Sequence, residues 1–454
     1  MYTVFRPELA EIAREVLARH RDHQAGGGDP ADLDAYRLER FVATVEYVQK
    51  HSAFYGERLA GVDAAGITAL TAEALAGIPF TTKDDLRAFG FAVPSLSASD
   101  AWVYYETTGT TGDSTPSPRA DVDSINTNIA MTVQYEPLLR RFGDRQVMGV
   151  CGPSELHAHG DTFTEVCRNL GLATVKMWPH SPLVGFPRAL RVLRELPVTA
   201  LFCTPGAAVA LAKAAVQDGS DPRRDFRMDV LMLTGETAPP SVLAHIGELW
   251  QAEAHLALYG SQESSVLALA SAAGGLRLAP LLNHYEVIDP QTLAPAAADA
   301  DGVLHGELVA THLYQGAKPL VRYRTGDLVR LHPDARIEVL GRVADRLTLN
   351  GVATTGYDLE NLLLDGVRGY LDHRIVIEQR AGRDAVVLTL TPESEGASPT
   401  GLDASAEACR AAFGIEVEIQ VADVEATPVA PGPVSWKTPR LSDRRSGQSP
   451  TRVP

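Results

Sequence analysis

The sequence has few cysteines and no long apolar stretch. It holds four cysteines in 454 residues, and none is spaced like a zinc or redox motif. No apolar run reaches the ~18 residues of a membrane-spanning helix, and the N-terminus lacks the pattern of a secretory signal. We therefore expect a cytoplasmic protein with no membrane partner and with free, buried thiols at Cys151, Cys167, Cys203 and Cys409.

Positive charge is also in short supply. Lysine and arginine total 41 against 57 aspartates and glutamates, which gives a net charge of −16. Such a surface repels a nucleic-acid backbone, so DNA and RNA are excluded as partners. A polyanionic substrate would need a few local cations, a metal ion and backbone N–H groups to hold it.

Short apolar runs alternate with amphipathic stretches through the middle of the chain. They predict strands at Gln146 to Cys151, Thr199 to Cys203, Val230 to Thr234 and His255 to Tyr259. Helices are predicted at Asp34 to Lys50, Ala207 to Val216 and Ser241 to Ala252. This alternation is typical of an α/β protein in which helices cover both faces of a parallel sheet. Ligands bind at the carboxyl ends of such strands.

The pattern changes after Gly341. Strands are predicted at Arg346 to Asn350, Arg374 to Glu378, Ala385 to Leu390 and Glu416 to Val421, and helices at Leu359 to Leu364 and Ala404 to Phe413. The chain is too long for one typical domain. We predict a large N-terminal domain, residues 1–341, and a small α+β C-terminal domain, residues 342–454.

A loop rich in threonine and glycine follows the aromatic run that ends at Tyr105. Its hydroxyls and backbone N–H groups can wrap phosphate oxygens, although a polar linker is the alternative. It is not a Walker loop, because no Gly-Lys-Ser/Thr ending is present. The loop is Thr107, Thr108, Gly109, Thr110, Thr111 and Gly112.

Three further motifs carry groups suited to a nucleotide. Glu263, which ends Tyr259-Gly260-Ser261-Gln262-Glu263, can hold Mg²⁺ through hard oxygens or simply start a helix. Asp327, which ends Tyr323-Arg324-Thr325-Gly326-Asp327, can accept hydrogen bonds from both ribose hydroxyls or cap a turn. Lys437 lies in a proline-marked tail, where a lysine is normally solvated.

The order of these four motifs resembles the acyl-adenylate-forming superfamily, and specifically its phenylacetate–CoA ligase branch. The resemblance covers nearly the whole chain and includes two upstream segments, Phe54 to Leu59 and Ile78 to Arg87. It implies a large adenylate-forming domain and a small mobile one. It also implies that ATP, with Mg²⁺, activates a carboxylic acid as an acyl-adenylate, which then reacts with a thiol, most often coenzyme A.

The resemblance also assigns roles to individual residues. Thr107 to Gly112 is the phosphate loop, Gly235, Glu236 and Tyr259 border the adenine, and Gly260 and Ser261 belong to the same nucleotide-binding turn. Asp327 and Arg342 hold the ribose, and Glu263 ligates Mg²⁺. Lys437 bridges the acid carboxylate, a ribose oxygen and the α-phosphate. Because two anions meet in this reaction, catalysis consists of positioning and charge cancellation, which Mg²⁺ and Lys437 supply.

The acid is expected near residues 152–161, with His157, Tyr135 and Gly260 as candidate substrate contacts and an aromatic acid as the expected substrate. His157 and His159 lack further ligands at a fitting spacing, so a metal site there is disfavoured. Residues 350–357 depart from the branch's usual thioester-tunnel loop, and Ala344 replaces an acidic hinge residue. A carrier protein or an amine therefore remains an alternative to coenzyme A as the acceptor. A homodimer is an open possibility for the oligomeric state, and a non-catalytic nucleotide-binding protein of the same fold is the alternative function.

Overall fold

The structure is a computed structural model that describes residues 5–27, 29–107, 114–394, 396–422, 439–445 and 452–453. The α-helices of these residues are α1 (Pro7–Gln24), α2 (Pro30–His51), α3 (Ala53–Arg58), α4 (Lys83–Phe89), α5 (Asp121–Leu139), α6 (His159–Asn169), α7 (Gly185–Glu195), α8 (Pro205–Gln217), α9 (Pro240–Trp250), α10 (Gly356–Leu364) and α11 (Leu402–Phe413).

The strands up to the predicted domain boundary are β1 (Val103–Glu106), β2 (Pro116–Arg119), β3 (Val147–Cys151), β4 (Ala173–Met177), β5 (Val198–Cys203), β6 (Val230–Thr234), β7 (Glu253–Ser261), β8 (Ser265–Ala270), β9 (Leu276–Leu278), β10 (Asn283–Ile288), β11 (Leu304–His312), β12 (Tyr323–Leu331) and β13 (Arg336–Arg342). After it come β14 (Leu347–Leu349), β15 (Val352–Thr354), β16 (Tyr370–Arg380), β17 (Arg383–Pro392), β18 (Glu416–Val421), β19 (Leu441–Asp443) and β20 (Arg452–Val453).

The chain folds into two compact units. The first holds residues 1–143, 153–172 and 258–338, and the second holds residues 144–152, 173–257 and 339–454. The boundary predicted between residues 341 and 342, separating a large domain from a small mobile one, stays a prediction.

The second unit contains three of the predicted strands, β3, β5 and β6, together with β4, which the pattern did not predict. They lie in the order β4, β3, β5, β6, and each neighbouring pair is parallel. Strand β6 is fully buried, as an apolar run inside a helix-covered sheet should be. Helices α8 and α9 also form, but they begin two residues and one residue earlier than predicted. The α/β class is confirmed.

The first unit carries an antiparallel sheet, which the alternating pattern did not predict. Strands β7 and β8, β8 and β9, β10 and β11, and β11 and β12 all pair antiparallel. The reason lies in the connections: residues 262–264 alone join β7 to β8, and a turn this short cannot return a strand in the parallel direction.

The C-terminal part of the second unit has the predicted α+β composition. Its five-stranded sheet has the order β18, β17, β16, β19, β20, flanked by α10 and α11. The apolar core of this part is continuous with that of α8 and α9, since Leu363 and Tyr370 belong to the same buried cluster as Leu211 and Trp250.

All four cysteines are free and buried, as expected. Among the described residues, no helix is both long and apolar enough to cross a membrane.

Candidate active site

The turn between β7 and β8 presents Glu263 in the first unit. Gly260 is required there, because a Cβ at this position would lie 1.9 Å from the carbonyl oxygen of Ser265. Ser261 Oγ accepts a hydrogen bond from the Ser264 backbone N–H at 3.1 Å, which closes the turn. The turn therefore holds Glu263 at the strand end where a ligand-binding group was predicted.

Glu263 is a buried carboxylate surrounded by cations. Its side chain is 3% exposed, and Lys83 Nζ lies 2.9 Å from its Oε1 atom. Burial by itself would raise the pKa of Glu263, but the charges of Lys83 and Lys318 and the contact with Lys83 lower it to about 2. Glu263 is thus ionised at neutral pH.

Lys318 is the second cation and is fully buried. Its ammonium donates to the carbonyl oxygen of Pro116 at 2.5 Å and to Ser117 Oγ at 3.0 Å, both on β2. Burial lowers the pKa of Lys318 to about 7, although the charge of Glu263 counteracts part of that effect. Lys318 therefore interacts electrostatically with Glu263 while it is hydrogen-bonded to β2, the strand that follows the predicted phosphate loop.

The root of that loop is described, while Thr108, Gly109, Thr110, Thr111 and Gly112 lie outside the described residues. Thr107 is buried, and its Oγ1 atom accepts a hydrogen bond from the Thr115 backbone N–H at 3.0 Å. Glu106 pairs with Pro116 in the β1–β2 ladder. The described residues that precede and follow the predicted phosphate loop are therefore held side by side.

Gln262 connects the loop root to the predicted acid-binding segment. Its amide nitrogen lies 3.5 Å from the carbonyl oxygens of both Glu106 and Leu156, and its own carbonyl oxygen accepts from Arg119 at 2.7 Å. The Glu106 backbone N–H also donates to Leu156 O at 2.9 Å. The turn that carries Glu263, the start of the predicted phosphate loop and the predicted acid-binding segment thus meet in the first unit.

The predicted ribose group lies on β12 in the same unit. Asp327 accepts a hydrogen bond from the Tyr259 hydroxyl at 2.8 Å, so a residue assigned to the adenine and one assigned to the ribose are in contact. Gly326, immediately before Asp327, has a φ of 73° and so allows the backbone to turn there.

The predicted acid contacts have different environments. His157 is partly buried, and its Nδ1 atom accepts a hydrogen bond from the His159 backbone N–H at 3.1 Å. Tyr135 is fully buried in α5, and burial raises the pKa of its hydroxyl. Tyr105 donates a hydrogen bond to Asp161 at 3.1 Å. The described residues contain no group of three or more histidine, cysteine or carboxylate side chains arranged for a metal.

The second unit holds the predicted adenine residues Gly235 and Glu236, directly after β6. Gly235 has a φ of 88°, and Glu236 Oε2 accepts a hydrogen bond from the Gly206 backbone N–H at 2.9 Å. The same oxygen lies 3.2 Å from Arg440 Nη1. Arg342, the predicted ribose and hinge residue, ends β13 and is exposed.

Arg440 was not among the predicted site residues. Its guanidinium also donates to the carbonyl oxygen of Thr237 at 2.6 Å and to Glu360 at 2.7 Å, and Glu360 in turn lies 2.8 Å from His373 Nε2. Burial would raise the pKa of Glu360, but Arg440 and His373 lower it to about 2. Lys437, three residues earlier in the chain, lies outside the described residues.

The sequence contained weak signals for the groups that were missed. Lys83 lies within the upstream segment Ile78 to Arg87 that carried part of the resemblance, and Arg440 follows Lys437 closely. Nothing in the residues around Lys318 marks it as buried.

No protein-family model matches the chain. Phenylacetate-coenzyme A ligase of Thermus thermophilus is 28% identical over 402 residues, covering 84% of this chain and 82% of that protein. The enzyme of the same name from Pseudomonas putida is 28% identical over 365 residues, covering 74% of this chain and 77% of that protein.

A crystal structure of 2-hydroxyisobutyryl-CoA ligase in complex with its acyl-adenylate, 2-HIB-AMP, has the same fold. It aligns with a TM-score of 0.73 over 91% of this chain and 90% of that one, at 20% identity. The chain therefore shares the fold of that enzyme and is similar in sequence to phenylacetate–CoA ligases, as the order of its motifs indicated.

Proposed function

We propose that this AMP-forming acid–thiol ligase activates a small aromatic carboxylic acid with ATP and passes the acyl group to coenzyme A. In the first step a carboxylate oxygen attacks the α-phosphorus of ATP, the bond to the β-phosphate oxygen breaks, and acyl-AMP and pyrophosphate form. In the second step the thiolate of coenzyme A attacks the acyl carbon and AMP leaves.

The observation that carries this proposal is the charge arrangement around Glu263. One ionised, buried carboxylate is accompanied by Lys83 and by Lys318, whose pKa of about 7 leaves it partly protonated at neutral pH. Arg119, on β2, donates to the carbonyl oxygen of the neighbouring Gln262. In an acidic protein, this local excess of cations supplies the attraction that a triphosphate needs. Preorganised charge is also what lowers the barrier when two anions react.

The donor set fits a magnesium ion. Mg²⁺ is commonly held by one or two carboxylates together with substrate phosphates, and it needs no cage of protein ligands. Glu263 provides one ionised hard-oxygen donor, which agrees with the lack of a larger ligand cluster among the described residues. The ion would neutralise phosphate charge.

The other residues bind and orient the reactants. Asp327, held by Tyr259, is proposed to accept hydrogen bonds from the ribose hydroxyls, and Gly235 and Glu236 to border the adenine. Lys437 is proposed to contact the acid carboxylate and the α-phosphate. No general base is needed for adenylation, because a carboxylic acid is already ionised near neutral pH.

The aromatic substrate is proposed from two considerations. The curated relatives are named for phenylacetate, an arylacetic acid. The predicted acid-binding segment includes His157, which is partly buried and lies 6.4 Å, ring centre to ring centre, from His159. An imidazole ring can stack on a flat aromatic acid, and we expect substitution of His157 to change acid preference more than ATP use.

Acid-dependent exchange of labelled pyrophosphate into ATP tests the proposal. The assay should be run with benzoates, arylacetates and aliphatic acids, followed by product analysis with coenzyme A, a pantetheinylated carrier protein and amines. We expect exchange with an aromatic acid and an acyl-CoA product. If a product formed only with the carrier protein or with an amine, that acceptor would replace coenzyme A in the proposal. If none of the acids tested supported exchange, the proposed function would be rejected.

A further inference from the structure

Lys83 occupies the position on Glu263 that the metal is proposed to use. Its ammonium nitrogen is 2.9 Å from Glu263 Oε1, a direct ion pair with a carboxylate that is almost fully buried. A carboxylate buried without a counter-ion would take up a proton or destabilise the fold. In the protein alone, Lys83 therefore places a positive charge in direct contact with this carboxylate.

The backbone of Lys83 is firmly anchored. Thr82 and Asp85 form a capping box at the start of α4, with Thr82 N–H donating to Asp85 Oδ2 at 2.8 Å. Thr81 pairs with β12, because Thr81 N–H donates to Arg322 O at 3.0 Å and Arg324 N–H donates to Thr81 O at 2.8 Å. The point from which the lysine side chain reaches towards Glu263 is thus fixed by β12, the strand that carries Asp327.

The side chain of Lys83 differs from that of Lys318 in its freedom to move. Lys83 is 33% exposed, so its ammonium can turn into water without leaving a buried donor unsatisfied. Lys318 is fully buried and held by two hydrogen bonds to β2. Of these two cations, only Lys83 can leave Glu263 at low cost.

A divalent cation bound to Glu263 would repel an ammonium group that remained in contact with the same carboxylate. We propose that Lys83 is a built-in substitute for the metal: it pairs with Glu263 before the nucleotide binds, and Mg²⁺ arriving with ATP displaces it. This inference rests on the proposed function, in which Glu263 ligates Mg²⁺. Breaking the Lys83–Glu263 pair then offsets part of the free energy of metal binding.

Metal-dependent binding of an unreactive nucleotide tests the competition without catalysis. The full chain is titrated calorimetrically with α,β-methylene-ATP, once with excess MgCl₂ and once with EDTA. The readout is the dissociation constant measured with EDTA divided by that measured with MgCl₂, so that any contact between the lysine and the phosphates that is equal in the two conditions cancels. We expect this ratio to be roughly tenfold larger in Lys83→Met than in the unmodified chain, because the metal would no longer compete with an ammonium group for Glu263. A tenfold change corresponds to a competing interaction of about 1.4 kcal/mol.

Matched variants control the experiment. Arg87 lies on the same short helix and pairs with Asp84 at 3.1 Å, so Arg87→Met should leave the ratio unchanged. In Glu263→Gln the metal should contribute little, and adding Lys83→Met should change nothing further. Lys83→Gln, which keeps a polar group beside Glu263, repeats the measurement if Lys83→Met does not fold.

The outcomes separate the inference from the function on which it rests. An unchanged or smaller ratio in both Lys83 variants would overturn the competition. An unmodified chain that binds the analogue equally well with and without metal would overturn it too, while leaving ATP binding intact. Failure of the unmodified chain to bind the analogue at all would reject the proposed function itself.

Discussion

Arg440 and Glu236 form a buried ion pair in the second unit, with 3.2 Å between Nη1 and Oε2. Arg440 also binds Glu360, and the backbone N–H of Ile375 donates to Arg440 O at 2.8 Å. The segment that follows Lys437 is therefore tied to the predicted adenine turn by side-chain contacts and to β16 by a backbone hydrogen bond.

Replacing Arg440 by methionine should destabilise the protein by about 3–5 kcal/mol, because two buried carboxylates would lose their partner. Urea denaturation followed by tryptophan fluorescence measures this, since Trp250 lies in the core of the same unit. Arg410→Met is the control: Arg410 pairs with Glu407 on the surface, where such pairs contribute about 0–1 kcal/mol. Equal losses in the two variants would contradict the account.

Acid should weaken the protein partly through Glu360. The pKa of this carboxyl is about 2 in the folded protein against an ordinary value of 4.5, so the unfolded chain binds more protons between these values. The stabilisation from Glu360 is therefore complete above about pH 5 and is lost as the pH falls towards 2. Unfolding free energies measured from neutral to acidic pH should show a steeper loss in the unmodified chain than in Glu360→Gln. Parallel profiles would argue against a depressed pKa.

Tyr259→Phe should weaken nucleotide binding, because Asp327 loses the hydroxyl that orients it at 2.8 Å. A hydrogen bond to a charged group contributes ~1.5–3 kcal/mol, so the KM for ATP in pyrophosphate exchange should rise about tenfold or more with a smaller change in kcat. Tyr36→Phe is the matched control, because Tyr36 is a half-buried tyrosine of α2 whose hydroxyl accepts a hydrogen bond from Arg19 at 3.4 Å. A fall in kcat at constant KM would assign Tyr259 a different role.

Gly316→Ala should destabilise the first unit. A Cβ at this position would lie 1.8 Å from Asp123 Oδ1, and Asp123 is held by the backbone N–H groups of Ala120 and Ala317 at 2.7 and 2.8 Å. Relieving such an overlap costs about 1–3 kcal/mol. Gly77→Ala, where a Cβ meets nothing within 4 Å, should have little effect on thermal stability. The account would be wrong if both variants melted alike.

Much of the fold was predictable from local patterns. Strands Val230–Thr234 and Glu416–Val421 coincide with the predicted ranges, because each is a compact run between clear breaks. Helices were predicted to begin too late: α2, α8 and α9 start at Pro30, Pro205 and Pro240. Proline is well suited to the first helical turn but contributes nothing to an apolar periodicity. The pairing direction of β7 and β8 depends on turn length, which periodicity does not report.

The candidate site was predictable in its residue types but not in its pairings. Glu263 could be selected because its motif ends an apolar strand, and Asp327 because its motif comes next in a familiar order. Their partners could not, since Lys83 and Tyr259 reach them only through the folded sheet. Nor does the sequence mark Lys318 as buried, because a lysine is normally found on the surface.

The central claim is that a carboxylate oxygen of the acid attacks the α-phosphorus of ATP. The most direct measurement uses a carboxylic acid labelled with ¹⁸O in both carboxyl oxygens, a complete reaction with ATP and coenzyme A, and mass spectrometry of the products. The account predicts one ¹⁸O atom in AMP, carried over when the acyl-adenylate is cleaved, and none in pyrophosphate. Label found in inorganic phosphate, with ADP in place of AMP, would contradict it.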